Sequence, residues 1–389
     1  MNTRHCYTLH DVVLAAVLTI GFASSAFALE VSSFIVDLNT KEATNLGSLG
    51  GDYSYASGIN DAGQVVGESI TDNGQTHAFI TGPNGIGMTD LGTLGGNFSR
   101  AHAVNNFGQA VGDSYTAAGE DHAFITGPNG VGMTDLGALG KGSMEYRFSE
   151  AFGINDAGQV TGYSTVSGSD VPHAFITEPN GLGMTDLGTL EGRAASIAKA
   201  VNATGQVTGS SDVGSFHTPE RAFITGSNGV GMTDIGALGR FEHSWGNAIN
   251  ASGQVVGHST FTPGERIPTE VHAFITGPSG ENMTDLRTLG GASSAAYGIN
   301  DAGQVVGESL TDSGQTHAFI TGLDGVGMTD LASLVNPPPG FTYFNHATAI
   351  NNHGQLAAVA AVVPEPETYA MLLLGLGLIG FLARGRATA

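Results

Sequence analysis

The chain has 389 residues, of which 41% are hydrophobic, only 12% are charged and 60 are glycine, a composition that excludes a disordered chain and fits a turn-rich, strand-rich one. With 35 acidic residues against 13 basic ones and no basic cluster, the charge excludes nucleic acid as a partner.

The first 28 residues, MNTRHCYTLHDVVLAAVLTIGFASSAFA, carry Arg4 and His5, then an apolar run from Val12 to Ala23, then the small-x-small end Ala26-Phe27-Ala28. This is the pattern of a secretory signal peptide, with cleavage expected after Ala28. Cys6 is the only cysteine and leaves with the peptide, so the mature chain is expected to carry no thiol. Export without disulfides points to a bacterial protein.

Half a repeat follows. SSFIVDL and ATNLGSLGG, within residues 32–51, match the HAFITG and MTDLGTLGG segments of later copies but lack the strands that precede them there. The repeat itself is announced by YASGINDAGQVVGES at residues 55–69 and returns with Asn60, Asn105, Asn155, Asn202, Asn250, Asn300 and Asn351 at its centre. A period of this length signals a repeat architecture. Each copy contains four short strand-like stretches separated by Gly-rich turns, a four-stranded antiparallel meander. In the Asn-x-x-Gly turn the Asn side chain closes on the backbone and the Gly takes a positive φ.

Two and four residues before each Asn stands a Gly or Ala, which a period of two puts on one face of a tightly packed first strand. The Ile or Val just before the Asn is expected to bury against the next unit. Residues 346–362, HATAINNHGQLAAVAAV, supply a first and second strand and nothing more. The two half-repeats together make one unit. The predicted fold is therefore all-β: a seven-bladed β-propeller of four-stranded blades over residues 32–362, closed by strand exchange between its ends.

The copies resemble the HAF family of probable extracellular repeats, on the motifs His77-Ala78-Phe79, His122-Ala123-Phe124, His173-Ala174-Phe175, His272-Ala273-Phe274 and His317-Ala318-Phe319, each followed by an MTDL segment. The fourth copy departs with Arg221-Ala222-Phe223. The resemblance implies an extracellular location and names no settled activity. Five histidines at one blade position do not converge on a metal, since matching points on adjacent blades lie about 10 Å apart. They are expected to bond between strands, and Asp90, Asp135, Asp186, Asp234, Asp285 and Asp330 to bond to nearby amides or turns, with Asn45 in the matching slot of the half-repeat. No cofactor or metal is expected. Calcium is the only ion with oxygen-rich turns to suit it, at the NDAG turns, Asp72-Asn73-Gly74 and Asp312-Ser313-Gly314, and none of these has EF-hand spacing.

The segments that break the repeat are KGSMEYRFSE (141–150), SSDVGSFHTPE (210–220), GRFEHSW (239–245) and STFTPGERIPTEV (259–271). All fall on the face opposite the uniform turns, and loops held by a rigid scaffold carry binding. Trp245, Phe241, His243, Glu242, Tyr146 and Arg147 are the candidate ligand contacts, with Phe148 beside them. The function expected is that of an exported, non-catalytic surface or matrix protein associated with a glycan or other polymer. The alternative is a secreted lyase or glycosidase, for which Glu145, Tyr146, Arg147, Glu242, His243 and Glu265 are the acids and bases available.

The last segment, residues 363–389, reads Pro364-Glu365-Pro366, then an unbroken apolar run over 369–383, then Arg384 and Arg386. Fifteen helical residues span about 22 Å, short of the roughly 30 Å hydrocarbon core, so the run suits transient anchoring as a transmembrane helix rather than a permanent one. The arrangement resembles the PEP-CTERM sorting signal. That resemblance implies an exosortase as partner and delivery to the surface or matrix, such as a biofilm, of a Gram-negative bacterium.

Overall fold

The computed structural model describes residues 31–140, 147–169, 171–191, 195–213, 219–239, 242–261 and 270–361. The signal segment with Cys6, Ala26 and Ala28, the sorting segment with Pro364, Glu365, Pro366, Arg384 and Arg386, and the loop residues Glu145, Tyr146, Phe241 and Glu265 lie outside the described residues. Among those described, no helix is long and apolar enough to cross a membrane.

The described chain opens with β1 (Val31–Asp37) and β2 (Glu42–Asn45). One antiparallel sheet is β3 (Gly50–Ile59), β4 (Val65–Thr71), β5 (Thr76–Thr81) and β6 (Met88–Asp90). The next is β7 (Gly95–Val104), β8 (Ala110–Thr116), β9 (Asp121–Thr126) and β10 (Met133–Gly137). It is followed by β11 (Ser149–Ile154), β12 (Val160–Ser164), β13 (His173–Glu178) and β14 (Leu182–Gly188). Then come β15 (Ser196–Val201), β16 (Val207–Asp212), β17 (Glu220–Thr225) and β18 (Met232–Asp234). β19 (Ser244–Ile249), β20 (Val255–Phe261), β21 (Glu270–Ile275) and β22 (Thr284–Arg287) make another sheet. So do β23 (Gly290–Ile299), β24 (Val305–Thr311), β25 (Thr316–Thr321) and β26 (Met328–Asp330). Finally β27 (His346–Ile350) pairs with β28 (Gln355–Ala361), and β28 pairs with β1, Val31 opposite Ala361 and Asp37 opposite Gln355. β1 in turn pairs with β2.

The turn chemistry explains why each hairpin forms. Asn60 Oδ1 accepts from the amides of Ala62 (3.1 Å) and Gln64 (2.9 Å), closing the turn, and Gly63 sits at φ 71°. The second hairpin, Pro83-Asn84-Gly85, docks on the first: Asn84 N donates to Ala62 O at 3.2 Å and Gly85 N to Gly63 O at 2.9 Å. Both hairpins thus lie on one end of the sheet. The first strand begins earlier than its YASGIN phrase, at Gly50, which pairs with Thr71 across a register shift. The fourth strand stops at Asp90, whose Oδ1 takes the Gly92 amide at 2.7 Å and turns the chain away.

The core lies between successive sheets. Val66, Ala78 and Ile80 pack with Ala101, Val104, Ala110 and Phe124, and equivalent clusters recur from sheet to sheet. Two expectations are corrected here. The Ile or Val before the Asn packs against the preceding unit and not the next one: Ile59 joins Ile35, Leu46 and Ala357. The small residues do not share a face, because a register shift lies between Ala56 and Gly58 and inserts one residue. Gly246, four before its Asn, faces Thr208 of the preceding sheet, whereas Gly58, two before, faces His102 O of the following one. Close packing survives, on both sides of the strand.

Candidate functional site

The first strands are neighbours in series, β3 beside β7, β7 beside β11, and so on to β23 beside β27 and β27 beside β3. At the hairpin end each central Asn donates Nδ2 to the backbone carbonyl of the next: Asn60 to Asn105 O (2.9 Å), Asn105 to Asn155 O (3.1 Å), Asn155 to Asn202 O (3.0 Å) and Asn202 to Asn250 O (3.1 Å). Asn250 donates to Asn300 O (3.2 Å), Asn300 to Asn351 O (3.4 Å) and Asn351 back to Asn60 O (2.9 Å). These asparagines rim a cavity of about 280 Å³. The carboxylates beside them already hold amides, as Asp61 Oδ1 does with the Asn352 amide at 3.0 Å.

The repeated His and Asp also serve the scaffold. His77 Nδ1 meets Asp90 Oδ2 at 2.8 Å, and His122–Asp135, His173–Asp186, His272–Asp285 and His317–Asp330 repeat the pair at 2.6 to 2.9 Å. Each pair ties the third strand to the fourth within one sheet, so the five imidazoles have separate partners.

The chemistry is concentrated elsewhere, in three positions that vary while their neighbours stay constant. Five residues before the Asn stand Tyr55, Arg100, Glu150, Ile197, Trp245, Ala295 and His346; three before it, Ser57, His102, Phe152, Lys199, Asn247, Tyr297 and Thr348. Cross-strand from the former are Glu68, Asp113, Tyr163, Ser210, His258, Glu308 and Val359. In six copies a Gly and a Ser flank this last position, as Gly67 and Ser69 flank Glu68, and in the seventh Ala358 and Ala360 flank Val359. Gly67 is fixed because an added Cβ would lie 1.9 Å from Tyr55 O, and the Ser69 hydroxyl accepts from Leu49 N at 3.0 Å.

These side chains form one polar and aromatic belt that crosses from sheet to sheet. Arg100 Nε meets Asp113 Oδ1 at 2.7 Å, and its Nη2 reaches Glu150 Oε2 of the next sheet at 3.3 Å. Burial works against the Arg100 charge, but Asp113 and Glu150 prevail and hold it firmly protonated. Lys199 Nζ lies 3.5 Å from the centroid of the Phe152 ring, and burial pushes its pKa down to about 8. Carboxylates recur with an aromatic donor attached: Tyr53 OH to Glu68 Oε1 (3.0 Å), Tyr297 OH to Glu308 Oε1 (2.7 Å) and Trp245 Nε1 to Glu220 Oε2 (2.6 Å). The Tyr163 hydroxyl bonds to Glu150 in the same way. Burial and the adjacent carboxylate raise the pKa of Tyr53, Tyr163 and Tyr297. Burial alone would raise Glu308, yet the His346 and Tyr297 hydrogen bonds hold it below the usual carboxylate value. His258 is pushed down to about 4 by burial and so is neutral at pH 7. A cavity of about 340 Å³ opens here, lined by His258, Tyr297, Glu308, Ser294 and Ser309.

Of the residues singled out from sequence, Trp245 belongs to this belt. It is half-buried in β19, stacked on His258 (ring centroids 4.7 Å apart) and on exposed His243 (5.6 Å). His243 Nδ1 accepts from the Glu220 amide at 3.1 Å. Glu242 is turned to Thr260, whose hydroxyl it accepts at 2.9 Å. Arg147 is exposed before β11. Phe148 packs edge-on against Tyr163, centroids 5.8 Å apart. Sequence reading missed Arg100, His102, Asp113, Lys199, Tyr297 and Glu308, which sit on strands and not on the irregular loops, and it passed over Glu150, the last residue of the 141–150 segment and part of β11. Their signal was present in the aligned copies, as variable positions between invariant ones.

Residues 362–387 match the PEP-CTERM protein-sorting motif. The motif marks an exported, surface-sorted chain and implies recognition by an exosortase. No curated protein matches the chain. Among solved structures, the β-propeller domain of the Trilobed protease from Pyrococcus furiosus is similar over 76% of this chain and 87% of its own, with a TM-score of 0.50 at 11% identity. An oligogalacturonate lyase in complex with manganese is similar over 86% of this chain and 91% of its own, with a TM-score of 0.50 at 12% identity. A putative TolB from Agrobacterium tumefaciens is similar over 87% of this chain and 100% of its own, with a TM-score of 0.45 at 11% identity. The class is thus an exported all-β protein of four-stranded sheets with β-propeller likeness.

Proposed function

We propose that residues 32–362 form a closed seven-bladed β-propeller of HAF repeats, released from a signal peptide at 1–28 and followed by a sorting segment at 363–389. In this reading it is delivered to the surface or matrix of a Gram-negative bacterium, where it binds extracellular polysaccharide without turning it over. The Asn hydrogen bonds that run from Asn60 round to Asn351 and back support closure. So does the pairing of β28 with β1.

In a closed ring the first strands line the axis, so the belt faces a ligand that enters there. One observation carries the binding role: carboxylates fixed by aromatic OH or NH donors stand beside a half-buried indole and a cavity of about 340 Å³. Fixed carboxylates accept sugar hydroxyls, and aromatic edges and faces pack on sugar C–H groups. The test is a glycan array with pull-down of native surface polymer, comparing wild type with Trp245→Ala and Tyr297→Phe. Wild type retains a polysaccharide, and Trp245→Ala weakens it by about thirtyfold, the scale of an interfacial hot spot. Retention of no glycan by a folded wild type ends the reading.

A second reading, a lyase or glycosidase, is favoured by Asp121. Burial first, then the charges of Asp113 and Glu150, push its carboxyl up to about 7, so it would hold a proton to donate at neutral pH. Release of shortened saccharide, lost in Asp121→Asn, would put this reading first.

A further inference from the structure

We propose that His102, Asp113 and Glu150 form a site for one divalent first-row transition ion, Mn²⁺ or Zn²⁺. One ring nitrogen of His102 and one carboxylate oxygen from each acid all lie within 4.8 Å of one another. Ligand bonds of about 2.0–2.2 Å need small side-chain rotations to close on a common centre. The His102 ring is positioned by Phe152 of the next sheet, at 4.8 Å between centroids.

Asp113 supplies the independent observation. Its side chain has no solvent exposure; Oδ1 takes Arg100 Nε (2.7 Å) and His102 Nε2 (3.0 Å), while Oδ2 is buried with no hydrogen-bond partner. A carboxylate oxygen buried without a partner is costly, and a cation is a partner that relieves it. Beside it, Asp121 Oδ1 is also buried without a partner. The contrast with the scaffold carboxylates is direct, since Asp90 holds His77 with both oxygens and the Gly92 amide as well. One imidazole among carboxylates suits Mn²⁺ or Zn²⁺ better than Ca²⁺ or Mg²⁺.

Arg100 is the resident counter-cation, bridging Asp113 and Glu150. Its side chain is 36% exposed and also feels Glu68, so it can withdraw from the acids as the ion enters. Binding is thus an exchange of guanidinium for metal. The site does not rest on the glycan reading, and its test uses no glycan.

The experiment is titration of the chelator-treated exported protein with Mn²⁺, followed by the paramagnetic resonance of free ion, and with Zn²⁺ by calorimetry. Expected is one ion per chain, weakened about a hundredfold in Glu150→Gln and His102→Gln, as loss of a ligand exceeds the 10–100-fold cost of its outer partners. Arg100→Gln, which removes the competitor, binds more tightly than wild type. His102→Gln leaves the buried acids in place, and its unchanged melting temperature in chelator separates lost binding from lost folding. Absence of saturable binding of either ion in wild type, or equal binding in wild type, His102→Gln and Glu150→Gln, overturns the proposal.

Discussion

His272 and Asp285 show how a scaffold pair responds to pH. Hydrogen bonding to Asp285 raises His272 above 6.5 against the opposing effect of burial, with Glu270 adding to it at 3.2 Å. Burial would raise Asp285, but the His272 bond and the Arg287 amide lower it below 3.8. A raised imidazole stabilises the fold fully below its unfolded value of 6.5, and that share is lost as pH rises through the folded value. A lowered carboxylate stabilises it above 3.8, and that share is lost as pH falls through the folded value. The window of full effect therefore runs from 3.8 to 6.5. Asp285 is 32% exposed, so screening limits the pair. Urea denaturation of wild type and His272→Gln is expected to differ by about 1 kcal/mol at pH 5 and by less at pH 9. A difference that grows at pH 9 would contradict the assignment.

At the scale of the element, the repeated unit was legible wherever the backbone leaves a residue no choice. Gly63 and its equivalents must take positive φ, and Asn60 must both accept from its own turn and donate to the next unit, so these positions recur unchanged and announce themselves. The faces of the first strand were not legible. A strand period of two fails across the inserted residue between Ala56 and Gly58, a register shift that leaves no mark in composition. The belt was not legible for the same reason: Arg100, His102 and Asp113 sit in ordinary strands whose orientation depends on that shift. The shift accompanies a glycine on the second strand in six of the seven copies, with Ala358 in the other. At Gly209 an added Cβ would lie 1.9 Å from Ile197 O and 2.9 Å from the Ala198 Cα, with backbone on both contacts. Gly209→Ala is expected to cost about 3 kcal/mol in urea denaturation, the upper range for forced overpacking. Gly74→Ala, with nothing within 4 Å of its Cβ, carries only the strain of φ 75° and costs about 1 kcal/mol. Equal losses at the two sites would sink the steric account.

At the scale of the molecule, the ends decide whether the units act as one body. β1 and β28 are joined over their whole length, and Ile35 lies opposite Ala357, both in the same buried cluster. Directly opposed antiparallel residues have Cα atoms about 4.5–5.5 Å apart, within the range a disulfide accepts. In the mature chain proposed above, cleaved after Ala28, Cys6 is gone and no other thiol competes. Ile35→Cys with Ala357→Cys should therefore oxidise within one chain and migrate as a compact monomer without reductant. Because the bond closes a loop of most of the chain, the oxidised form is expected to be about 3–5 kcal/mol more stable than the same variant reduced, which cancels the effect of the substitutions themselves. If the half-repeats instead completed sheets in neighbouring molecules, the same cysteines would join chains into disulfide-linked oligomers. That outcome, read from one non-reducing gel and an intact mass, would overturn closure while leaving each four-stranded sheet intact.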